Sequence, residues 1–484
     1  MTGSPSTPLP ARMAASAEEP RAVPSGRRPA GRLVVPPSKS LTHRFLDLAL
    51  LSRRPTTLLR PLLAEDTRLF LGALAACGWS VEEGPGEVRL TPRAAPTTSA
   101  EAPLQTMEKV EQTEKEVAIF CGNCGTMLRL LTAALCVLPG RFRLDGVERL
   151  RRRPVGPLVD ALRRLGAEIE YAARPGFAPL RIAGASLRGG ATALDARESS
   201  QYLSGLLLAA LAAPAPIEVE VEALSSAPYV DVTLQAAELF GGRIEEIEEK
   251  GAGLDRVRPG PPGMPGAAGA RRLYRVSPGP LGAPRVVVEG DASAACYLGA
   301  AAALCRGEVT IAGLPPASRQ GDLRFFTLLR AMGAEVDWRG GELAVRGAAE
   351  GLHAIDVDLA DLPDQVPTLA ALAPFARGTT RIHNVAQLRL KESDRLAAMA
   401  EELRRVGAVV KEGADSLTIP GIWAEAEPPG DPVTVDPHGD HRIAMSLALT
   451  ALRRPGVAIS SPGVVGKSYP DFWQDLERLL GTAG

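Results

Sequence analysis

The chain repeats one pattern of apolar and polar positions six times. Each copy has apolar residues at helical spacing and then a glycine, and in the first five copies a short run of alternating apolar and polar residues follows. Helical spacing that ends at glycine predicts a helix with its C-terminal cap, and the alternation predicts a β-strand. The glycines that end the six helices are Gly78, Gly166, Gly242, Gly333, Gly407 and Gly481.

The spacing of these glycines indicates internal duplication. Successive glycines lie about 74 to 91 residues apart, and the two longest intervals contain low-complexity stretches at 93–116 and 251–270. We interpret both stretches as surface insertions. The remainder divides into six α/β units of about 70 to 75 residues, most simply as two domains of three units each. Residues 1–30, rich in Pro, Ser, Ala and Arg, predict a disordered tail rather than a signal peptide.

Composition excludes several classes of protein. The 484 residues carry 55 Lys plus Arg and 56 Asp plus Glu, so the net charge of −1 gives no reason to expect nucleic acid as a partner. Six cysteines, most of them in apolar helical runs, predict reduced thiols in a cytoplasmic enzyme. The longest uncharged run, residues 202–217, is too short to cross a bilayer, so no membrane partner is expected.

One helix start carries four charges within five residues. Lys391, Glu392, Asp394 and Arg395 directly precede the helical pattern of residues 396–407. The free N–H groups and the dipole of a helix start attract anions. A carboxylate held between cations beside an anion site suits proton transfer on a phosphorylated or carboxylated substrate. The alternative is a solvated first turn in which the charges pair with one another.

Other predicted helix starts carry cations, hydroxyls or glycines of the same kind. Each of them, taken alone, could be an ordinary cap of a surface helix. If they meet in one cleft, they predict a ligand with more than one phosphate or carboxylate. The residues are Lys39, Ser40, Arg44, Gly122, Asn123, Gly125, Arg153, Ser199, Ser200, Gln201, Ser226, Asp364, Arg442 and Lys467.

Two motifs raise the alternative of a metal site. Cys121 and Cys124 form a CxxC pair, but no second pair accompanies it, so we do not expect zinc. His438 and His441 flank acidic residues in a turn at a helix start. We favour Arg442 in that turn as an anion ligand over a metal cluster. Neither motif therefore predicts a metal site.

Ten short motifs occur in a fixed order between about Arg32 and Leu480: PSKSLTHR, GNCGT, RRRPVG, SSQYL, APY, GDAS, LPD, LRLKESDR, GDHR and GKSYPDF. In this combination the chain resembles the 3-phosphoshikimate 1-carboxyvinyltransferase (EPSP synthase) family of enolpyruvyl transferases. The resemblance implies an α/β fold of two domains, each of three βαβαββ units, in an inside-out α/β barrel. It assigns residues 31–40 plus 287–484 to the lower domain and residues 41–286 to the upper domain.

The resemblance also implies a reaction. The enolpyruvyl group of phosphoenolpyruvate would pass to the 5-hydroxyl of shikimate 3-phosphate by addition and elimination, giving 5-enolpyruvylshikimate 3-phosphate and phosphate. Asp364 would take the hydroxyl proton, and Glu392, helped by Lys39, would protonate the methylene carbon. This is a step of the shikimate pathway to chorismate and the aromatic amino acids. A monomer that acts in the cytoplasm without a cofactor is expected.

Binding residues follow from the matching motif positions. The residues implied for shikimate 3-phosphate are Lys39, Ser40, Arg44, Ser199, Ser200, Gln201, Ser226, Asp364, Gln387 and Lys391. The residues implied for phosphoenolpyruvate are Lys39, Asn123, Gly125, Arg153, Gln201, Arg395, Arg442 and Lys467.

The chain departs from the family pattern at a few positions. Cys124, Leu130 and Gln387 differ from residues found in many or some members, which leaves substrate affinity and the response to glyphosate open. An alternative is the enolpyruvyl transferase that acts on UDP-N-acetylglucosamine, but that family has Lys-Asn where this chain has Lys39-Ser40. A non-catalytic regulator that binds phosphorylated metabolites is the other alternative. Two retained carboxylates would bring such a regulator no gain in binding anions.

Overall fold

The computed structural model describes residues 18–93, 116–250, 253–256 and 272–482. Short 3-10 turns connect several of the elements, and one of them, Pro363–Gln365, carries Asp364. The α-helices are α1 Lys39–Ser52, α2 Glu65–Ala76, α3 Gly125–Ala134, α4 Gly156–Arg164, α5 Gln201–Ala210, α6 Pro228–Leu239, α7 Ala292–Cys305, α8 Phe325–Ala331, α9 Val366–Leu372, α10 Arg395–Arg405, α11 His441–Arg453 and α12 Phe472–Leu480.

Strands alternate with these helices along the chain. The strands are β1 Arg21–Ala22, β2 Ala30–Val34, β3 Thr56–Leu59, β4 Trp79–Gly84, β5 Glu87–Pro92, β6 Val117–Phe120, β7 Arg141–Asp145, β8 Glu168–Tyr171, β9 Leu180–Ala183, β10 Gly190–Ala196, β11 Ile217–Leu224, β12 Arg243–Lys250, β13 Gly253–Arg256, β14 Arg272–Ser277, β15 Arg285–Val287, β16 Glu308–Ala312, β17 Glu335–Arg339, β18 Glu342–Arg346, β19 Asp356–Asp358, β20 Thr379–His383, β21 Lys411–Glu412, β22 Leu417–Pro420, β23 Val433–Val435 and β24 Val457–Ile459.

The described strands form six sheets, and all but the three-stranded sheet β1-β24-β23 share one topology. In the sheet β6-β7-β9-β8 the chain runs strand, α3, strand, α4 and then two more strands. The first two strands are parallel, and the last two form an antiparallel pair that closes on β7. The same order recurs in β19-β20-β22-β21 and, extended by β13, in β10-β11-β14-β12-β13. The βαβαββ repeat is confirmed.

Two of the sheets take their first strand from a distant part of the chain. β15 pairs in parallel with β3, and β2 pairs in parallel with β16. The two segments that make these exchanges run side by side, because Pro37 and Gly290 form a β-bridge. The exchange therefore ties together the segments that lead into α1 and α7.

Two separate hydrophobic cores show that the protein has a two-domain α/β fold. One core is built from residues between Leu41 and Val288, and the other from Val23, Leu33, Val35 and residues beyond Ala292. Helices α1, α3 and α5 pack together in the first core, and α7, α9 and α11 in the second. These helices are apolar on nearly every side, so burial within a layer of sheets is the stable arrangement for them.

The predicted disordered tail is wrong for residues 18–30. Arg21–Ala22 forms β1, which pairs antiparallel with β24, and Val23 is part of a core. β1 pairs there because the edge of β24 is open. After β24 the described chain continues into α12 and supplies no further strand to that sheet. β1 fills the position and covers the edge of β24. Residues 1–17 lie outside the described residues.

The predicted insertion at 251–270 contains one short strand. Residues 253–256 form β13, which extends the β12 strand into an antiparallel hairpin. Residues 94–115, 251–252 and 257–271 lie outside the described residues. No helix in the described ranges has both the length and the apolar character that crossing a membrane requires.

The glycine pattern holds with one shift in position. Gly78, Gly166, Gly333 and Gly407 have φ values of 86°, 92°, 105° and 98°, in the left-handed region that favours glycine at a helix end. In the third copy Gly241, with φ of 80°, takes this role instead of Gly242.

Candidate active site

The predicted helix starts meet where the two domains face each other. Nζ of Lys467 donates to the backbone oxygen of Asn123 at 3.1 Å, and the guanidinium of Arg149 donates to the backbone oxygen of Lys391 at 2.7 Å. Each of these bonds joins a segment that packs on one hydrophobic core to a segment that packs on the other. Charged and polar groups therefore gather at one interface between the domains.

Arg395 is the centre of this interface. Its guanidinium contacts carboxylate oxygens of Asp364, Glu392 and Asp440, each at 2.8 Å, while its side chain is 1% exposed. Arg442 adds a second contact to Asp364 at 2.7 Å. Burial tends to lower the pKa of Arg395, but the three carboxylates outweigh it and raise the pKa. One arginine thus contacts both Asp364 and Glu392, the carboxylates for which the family resemblance implies the roles of base and acid.

The sequence explains how α10 delivers these groups. Asp394 is the N-cap of the helix, since its side chain accepts a hydrogen bond from the backbone N–H of Ala397 at 3.1 Å. The cap places Glu392 just outside the helix and Arg395 at its first residue. The solvated first turn that was the alternative is therefore not what forms, because Arg395 is buried.

Glu392 lies between cations from both domains. Its second oxygen is 3.4 Å from Nη1 of Arg153. Burial alone would raise the pKa of Glu392, but Arg153, Arg395, Lys467 and Lys39 together hold it well below its usual range. A bound anion that takes up those positive charges would raise the proton affinity of Glu392.

Lys39 and Lys467 converge on a buried carboxylate, Asp66. Nζ of Lys39 lies 3.3 Å from one oxygen of Asp66, and Nζ of Lys467 lies 3.8 Å from the other. Burial would raise the pKa of Asp66, yet the two lysines and His43 lower it. Burial lowers the pKa of Lys467, but Asp66 and Glu392 outweigh that effect and raise it. Lys467 is therefore held as a cation close to Glu392.

The glycine loop before α3 touches the same cations with its backbone. The backbone oxygen of Asn123 accepts hydrogen bonds from Arg153 and Lys467, both at 3.1 Å. Gly125 leaves room for the arginine, because a Cβ atom there would lie 2.4 Å from Nη2 of Arg153. This close approach is the physical reason for a glycine at the first position of α3.

Lys391 is a half-buried lysine close to the same carboxylates. Burial lowers its pKa to about 8, although Asp364 and Glu392 pull it upwards. The charge on Lys391 therefore depends on which anions are close to it.

The polar residues that begin α5 are oriented by Arg129. Nη1 of Arg129 donates to Oγ of Ser199 at 3.2 Å and to Oε1 of Gln201 at 2.8 Å. The amide nitrogen of Gln201 donates to the hydroxyl of Thr126 at 2.9 Å. Ser200 is buried next to them. The cluster lies close to the cations, since Arg129 feels the charges of both Arg153 and Glu392.

Ser226 and Gln387 meet at one backbone oxygen. Oγ of Ser226 and Nε2 of Gln387 donate to the oxygen of Ala360 at 3.4 and 3.2 Å. Ser226 has φ of 56°, an uncommon conformation for serine. The two residues come from different domains and close one end of the interface.

Arg44 and Ser40 have a different environment from the other predicted residues. Ser38, not Ser40, is the N-cap of α1, and the backbone oxygen of Ser40 accepts a bond from Arg44 at 3.1 Å. The guanidinium of Arg44 also donates to Thr233, Ser204 and the backbone of Tyr229. Most of its hydrogen-bonding capacity is therefore taken by neutral oxygens of the protein.

The two motifs considered for metals have different surroundings in the described chain. Sγ of Cys124 caps α3 by accepting from the N–H of Met127, and burial raises the pKa of Cys124 to about 12. His438 lies near Glu401 and Glu402, with ligand atoms within 4.8 Å of one another. Arg405 also contacts both glutamates, at 3.2 and 3.0 Å, and supplies a positive charge there.

Several residues of the interface were missed by sequence reasoning. Asp66 looks like an ordinary acidic residue in a first helical turn, and Arg149 looks like one of several surface arginines. Asp440 and Tyr229 stood in motifs that were noted, but their partners lie far away in the sequence. The full set is Asp66, Arg129, Arg149, Tyr229, Asp322 and Asp440.

Comparison with known proteins gives a consistent result. A sequence model of the family described as EPSP synthase (3-phosphoshikimate 1-carboxyvinyltransferase) matches residues 24–260 and 267–476. The 3-phosphoshikimate 1-carboxyvinyltransferase of Syntrophobacter fumaroxidans is 40% identical, with 93% of this chain and 96% of that protein covered. The protein of the same name from Methanoculleus marisnigri is 41% identical over 92% of this chain and 96% of its own. A crystal structure of EPSP synthase from Acinetobacter baumannii superposes with a TM-score of 0.69 at 25% identity and covers 95% of this chain and 98% of that one.

Proposed function

Because the chain belongs to the EPSP synthase family, we propose that it transfers the enolpyruvyl group of phosphoenolpyruvate to the 5-hydroxyl of shikimate 3-phosphate. The products are 5-enolpyruvylshikimate 3-phosphate and phosphate. The observation that carries the proposal is Arg395, which holds both Asp364 and Glu392 at 2.8 Å in a buried interface rich in cations. An anionic substrate pair and two proton transfers require this combination of groups.

Phosphoenolpyruvate binds between the two domains in this proposal. Its phosphate and carboxylate contact cations from both sides of the interface and the backbone of the glycine loop. Because those cations now pair with Asp66, Glu392 and Asp364, the substrate competes for charge that the protein already balances. The residues proposed for this role are Lys39, Asn123, Gly125, Arg153, Gln201, Arg395, Arg442 and Lys467.

Shikimate 3-phosphate binds beside phosphoenolpyruvate, against the hydroxyls and amides that Arg129 and Ala360 hold in place. Lys391 supplies a charge that strengthens as the phosphate arrives, because a nearby anion raises the pKa of a buried lysine. The residues proposed for this role are Lys39, Ser40, Arg44, Ser199, Ser200, Gln201, Ser226, Asp364, Gln387 and Lys391.

Addition begins when the 5-hydroxyl oxygen attacks C2 of phosphoenolpyruvate. Asp364 takes the hydroxyl proton, and the electron pair of the C2–C3 double bond takes a proton from Glu392. Glu392 becomes protonated because bound phosphoenolpyruvate takes up the charges that now depress its pKa. Lys39, close to the same site, assists this transfer.

Elimination reverses the two proton transfers. Glu392 takes a proton from the new methyl group, the C2–O bond to phosphate breaks, and the C2–C3 double bond forms again. The proton that Asp364 received neutralises the departing phosphate. The surrounding arginines and lysines stabilise the charge that develops on that phosphate, so the chain's own residues account for each step.

We also propose domain boundaries and a cellular context. The lower domain comprises residues 31–40 plus 287–484 together with β1, and the upper domain comprises residues 41–286. The composition of the two cores and the exchange of β2 and β15 support this division. A monomer in the cytoplasm remains our expectation.

The two alternatives are less well supported. Transfer to UDP-N-acetylglucosamine is not favoured, because the relatives that match this chain are named for shikimate 3-phosphate chemistry. A regulator that only binds anions would gain nothing from Asp364 and Glu392. Removing these carboxylates and Arg395 from water costs about as much free energy as their attraction returns, and the carboxylates repel an anionic ligand.

Phosphate release from the purified full chain tests the proposal. We expect release that needs both phosphoenolpyruvate and shikimate 3-phosphate and that a chelator leaves unchanged. Binding of shikimate 3-phosphate without any release would favour the regulator. Release with UDP-N-acetylglucosamine instead of shikimate 3-phosphate would favour the other transferase.

A further inference from the structure

Asp322 is a second buried carboxyl group near Asp364, and the proposed reaction leaves it without a role. It lies in the 3-10 turn Gly321–Arg324 and is 3% exposed. One oxygen, Oδ2, accepts hydrogen bonds from Oγ of Ser293 and, at 3.0 Å, from Nε2 of Gln365. The Gln365 amide is oriented by Thr368, whose hydroxyl donates to its oxygen at 3.1 Å. Both donors therefore point at the same oxygen of Asp322.

The other oxygen of Asp322 faces Tyr229. The Tyr229 hydroxyl lies 3.3 Å from Oδ1 and 3.4 Å from Oδ2 of Asp322, and 2.9 Å from Oδ2 of Asp364. A phenol has one proton to donate and an oxygen that can accept another. Tyr229 can therefore receive a proton from one carboxyl group while it gives its own to the second. Catalytic hydrogen bonds that are long without substrate, like the one between Tyr229 and Asp322, often shorten when substrate binds.

The backbone of Tyr229 is fixed by hydrogen bonds within the upper domain. Its backbone oxygen accepts hydrogen bonds from Arg44 at 2.9 Å and from the hydroxyl of Thr233 at 3.0 Å. Tyr229 is the second residue of α6, directly after Pro228. The hydroxyl is thus positioned by the fold of the upper domain between two carboxyl groups of the lower domain.

We propose that Asp322 is the final acceptor of the proton that leaves the 5-hydroxyl, reached from Asp364 through Tyr229. The inference rests on the proposed function. The balance is simple: Asp364 gains the substrate proton and passes it to the Tyr229 oxygen, while Tyr229 gives its own proton to Oδ1 of Asp322. Asp364 is then a carboxylate again, Tyr229 is neutral, and Asp322 is a neutral acid. During elimination the proton returns along the same path.

The two carboxyl groups differ in proton affinity in the direction that this path requires. Burial would raise the pKa of Asp364, but Arg442, Arg395 and Lys391 outweigh it and hold the pKa well below the usual range. Burial, with the charge of Asp364, raises the pKa of Asp322 to about 6. A proton on Asp364 therefore moves to a better acceptor when it reaches Asp322.

The groups that surround Asp322 are consistent with its role. Asp364 repels its charge, and Arg442 attracts it. Tyr229 and Cys296 also feel its charge, and the Cys296 thiol donates to the backbone oxygen of Asp322 at 3.4 Å. Burial holds the pKa of both Tyr229 and Cys296 well above the usual range, so neither of them ionises near neutral pH.

The test is the pH dependence of kcat for three variants of the full chain. Asp322→Asn keeps the shape and removes the acceptor, and Tyr229→Phe removes only the hydroxyl. Asp475→Asn is the matched control, because Asp475 accepts a 2.8 Å bond from Tyr469 in a similar pair away from the interface. Thermal unfolding and the KM of both substrates are measured alongside.

We expect kcat of the unaltered chain to rise with pH as Asp322 loses its proton. Asp322→Asn and Tyr229→Phe should each lower kcat by about 10- to 100-fold near neutral pH and abolish that limb. The double variant should be no slower than the slower single one, because both changes interrupt one path. Asp475→Asn should keep the full profile.

Other results would overturn the inference. If Asp322→Asn and Tyr229→Phe retain the pH limb, or act only through KM or unfolding temperature, Asp322 is structural. If the two single losses multiply in the double variant, the residues do not share a path. If the unaltered chain has no activity, the proposed function itself is refuted. That result differs from every outcome that would refute only the role of Asp322.

Discussion

Arg44 and Arg395 occupy similar places in the sequence and opposite places in the electrostatics of the molecule. Both lie near the start of a helix, both are 2% exposed, and both were predicted to bind substrate. Arg44 donates to four oxygens that carry no charge, whereas Arg395 contacts three carboxylates. Burial lowers the pKa of Arg44 to about 10, while the carboxylates raise the pKa of Arg395.

The carboxyl groups near the two arginines differ in the same way. Asp47 is fully buried near Arg44, and both of its oxygens are without a hydrogen-bond partner among the described residues. Burial raises the pKa of Asp47 to about 8, and the attraction of Arg44 does not offset it. Glu392 and Asp364 near Arg395 are held ionised instead. A buried arginine therefore ionises a neighbouring acid only when its donors point at that acid.

The largest difference should appear when Arg395 is replaced by methionine. Arg395→Met leaves three buried carboxylates without their shared partner, so the free energy of unfolding should fall by about 3 to 5 kcal/mol. Phosphate release should be lost as well. Urea unfolding measures the first effect. Arg346→Met is the control, because Arg346 pairs with Glu308 on the surface and should cost less than about 1 kcal/mol. Equal losses for both variants would contradict the central place given to Arg395.

Arg44→Met should have a smaller effect on stability. The oxygens it leaves are neutral, and the hydroxyls of Ser204 and Thr233 still bond to each other at 2.8 Å, so we expect a loss of about 1 to 3 kcal/mol. If Arg44 contacts shikimate 3-phosphate, the KM of that substrate should rise about tenfold while kcat changes little. Steady-state kinetics decide the point. An unchanged KM would make Arg44 a purely structural residue.

Asp47→Asn should leave activity unchanged and alter only the pH dependence of stability. The pKa of Asp47 is higher in the folded chain than in the unfolded chain, so its contribution to stability is present at low pH and is lost as pH rises towards about 8. Over that interval the free energy of unfolding should fall by up to about 1.4 kcal/mol per pH unit in the unaltered chain. The variant should lack this slope in urea titrations between pH 5 and 9. A slope retained by the variant would show that Asp47 is not its source.

Much of the fold was readable because it is periodic. Helical spacing that ends at Gly78, Gly166 and Gly333 located three repeats, and the sheet topology confirmed the unit. β1 has only two residues, which is too short for a pattern of alternating apolar and polar positions. It pairs with β24 because that sheet has no fourth strand among the described residues. Local sequence carries no signal for such a contact.

The site was readable where charges cluster in one segment and obscure where partners are distant. Glu392 and Arg395 stand three residues apart, so their pairing could be expected from helix geometry. Asp66, Arg149 and Asp322 each look like ordinary surface charges in their own segments. Their roles arise only when the fold brings together residues that are distant in sequence, such as Arg149 and Lys391, which are 242 positions apart.

Glu392→Gln is the most direct test of the central claim that the Arg395 cluster performs the reaction. Glu402→Gln in α10 is the matched control, since the Glu402 side chain is also buried but contacts Arg405 and His438. We expect Glu392→Gln to lower kcat by about 100-fold or more while both substrates still bind, and Glu402→Gln to retain activity. Turnover of Glu392→Gln at the rate of the unaltered chain would contradict the account.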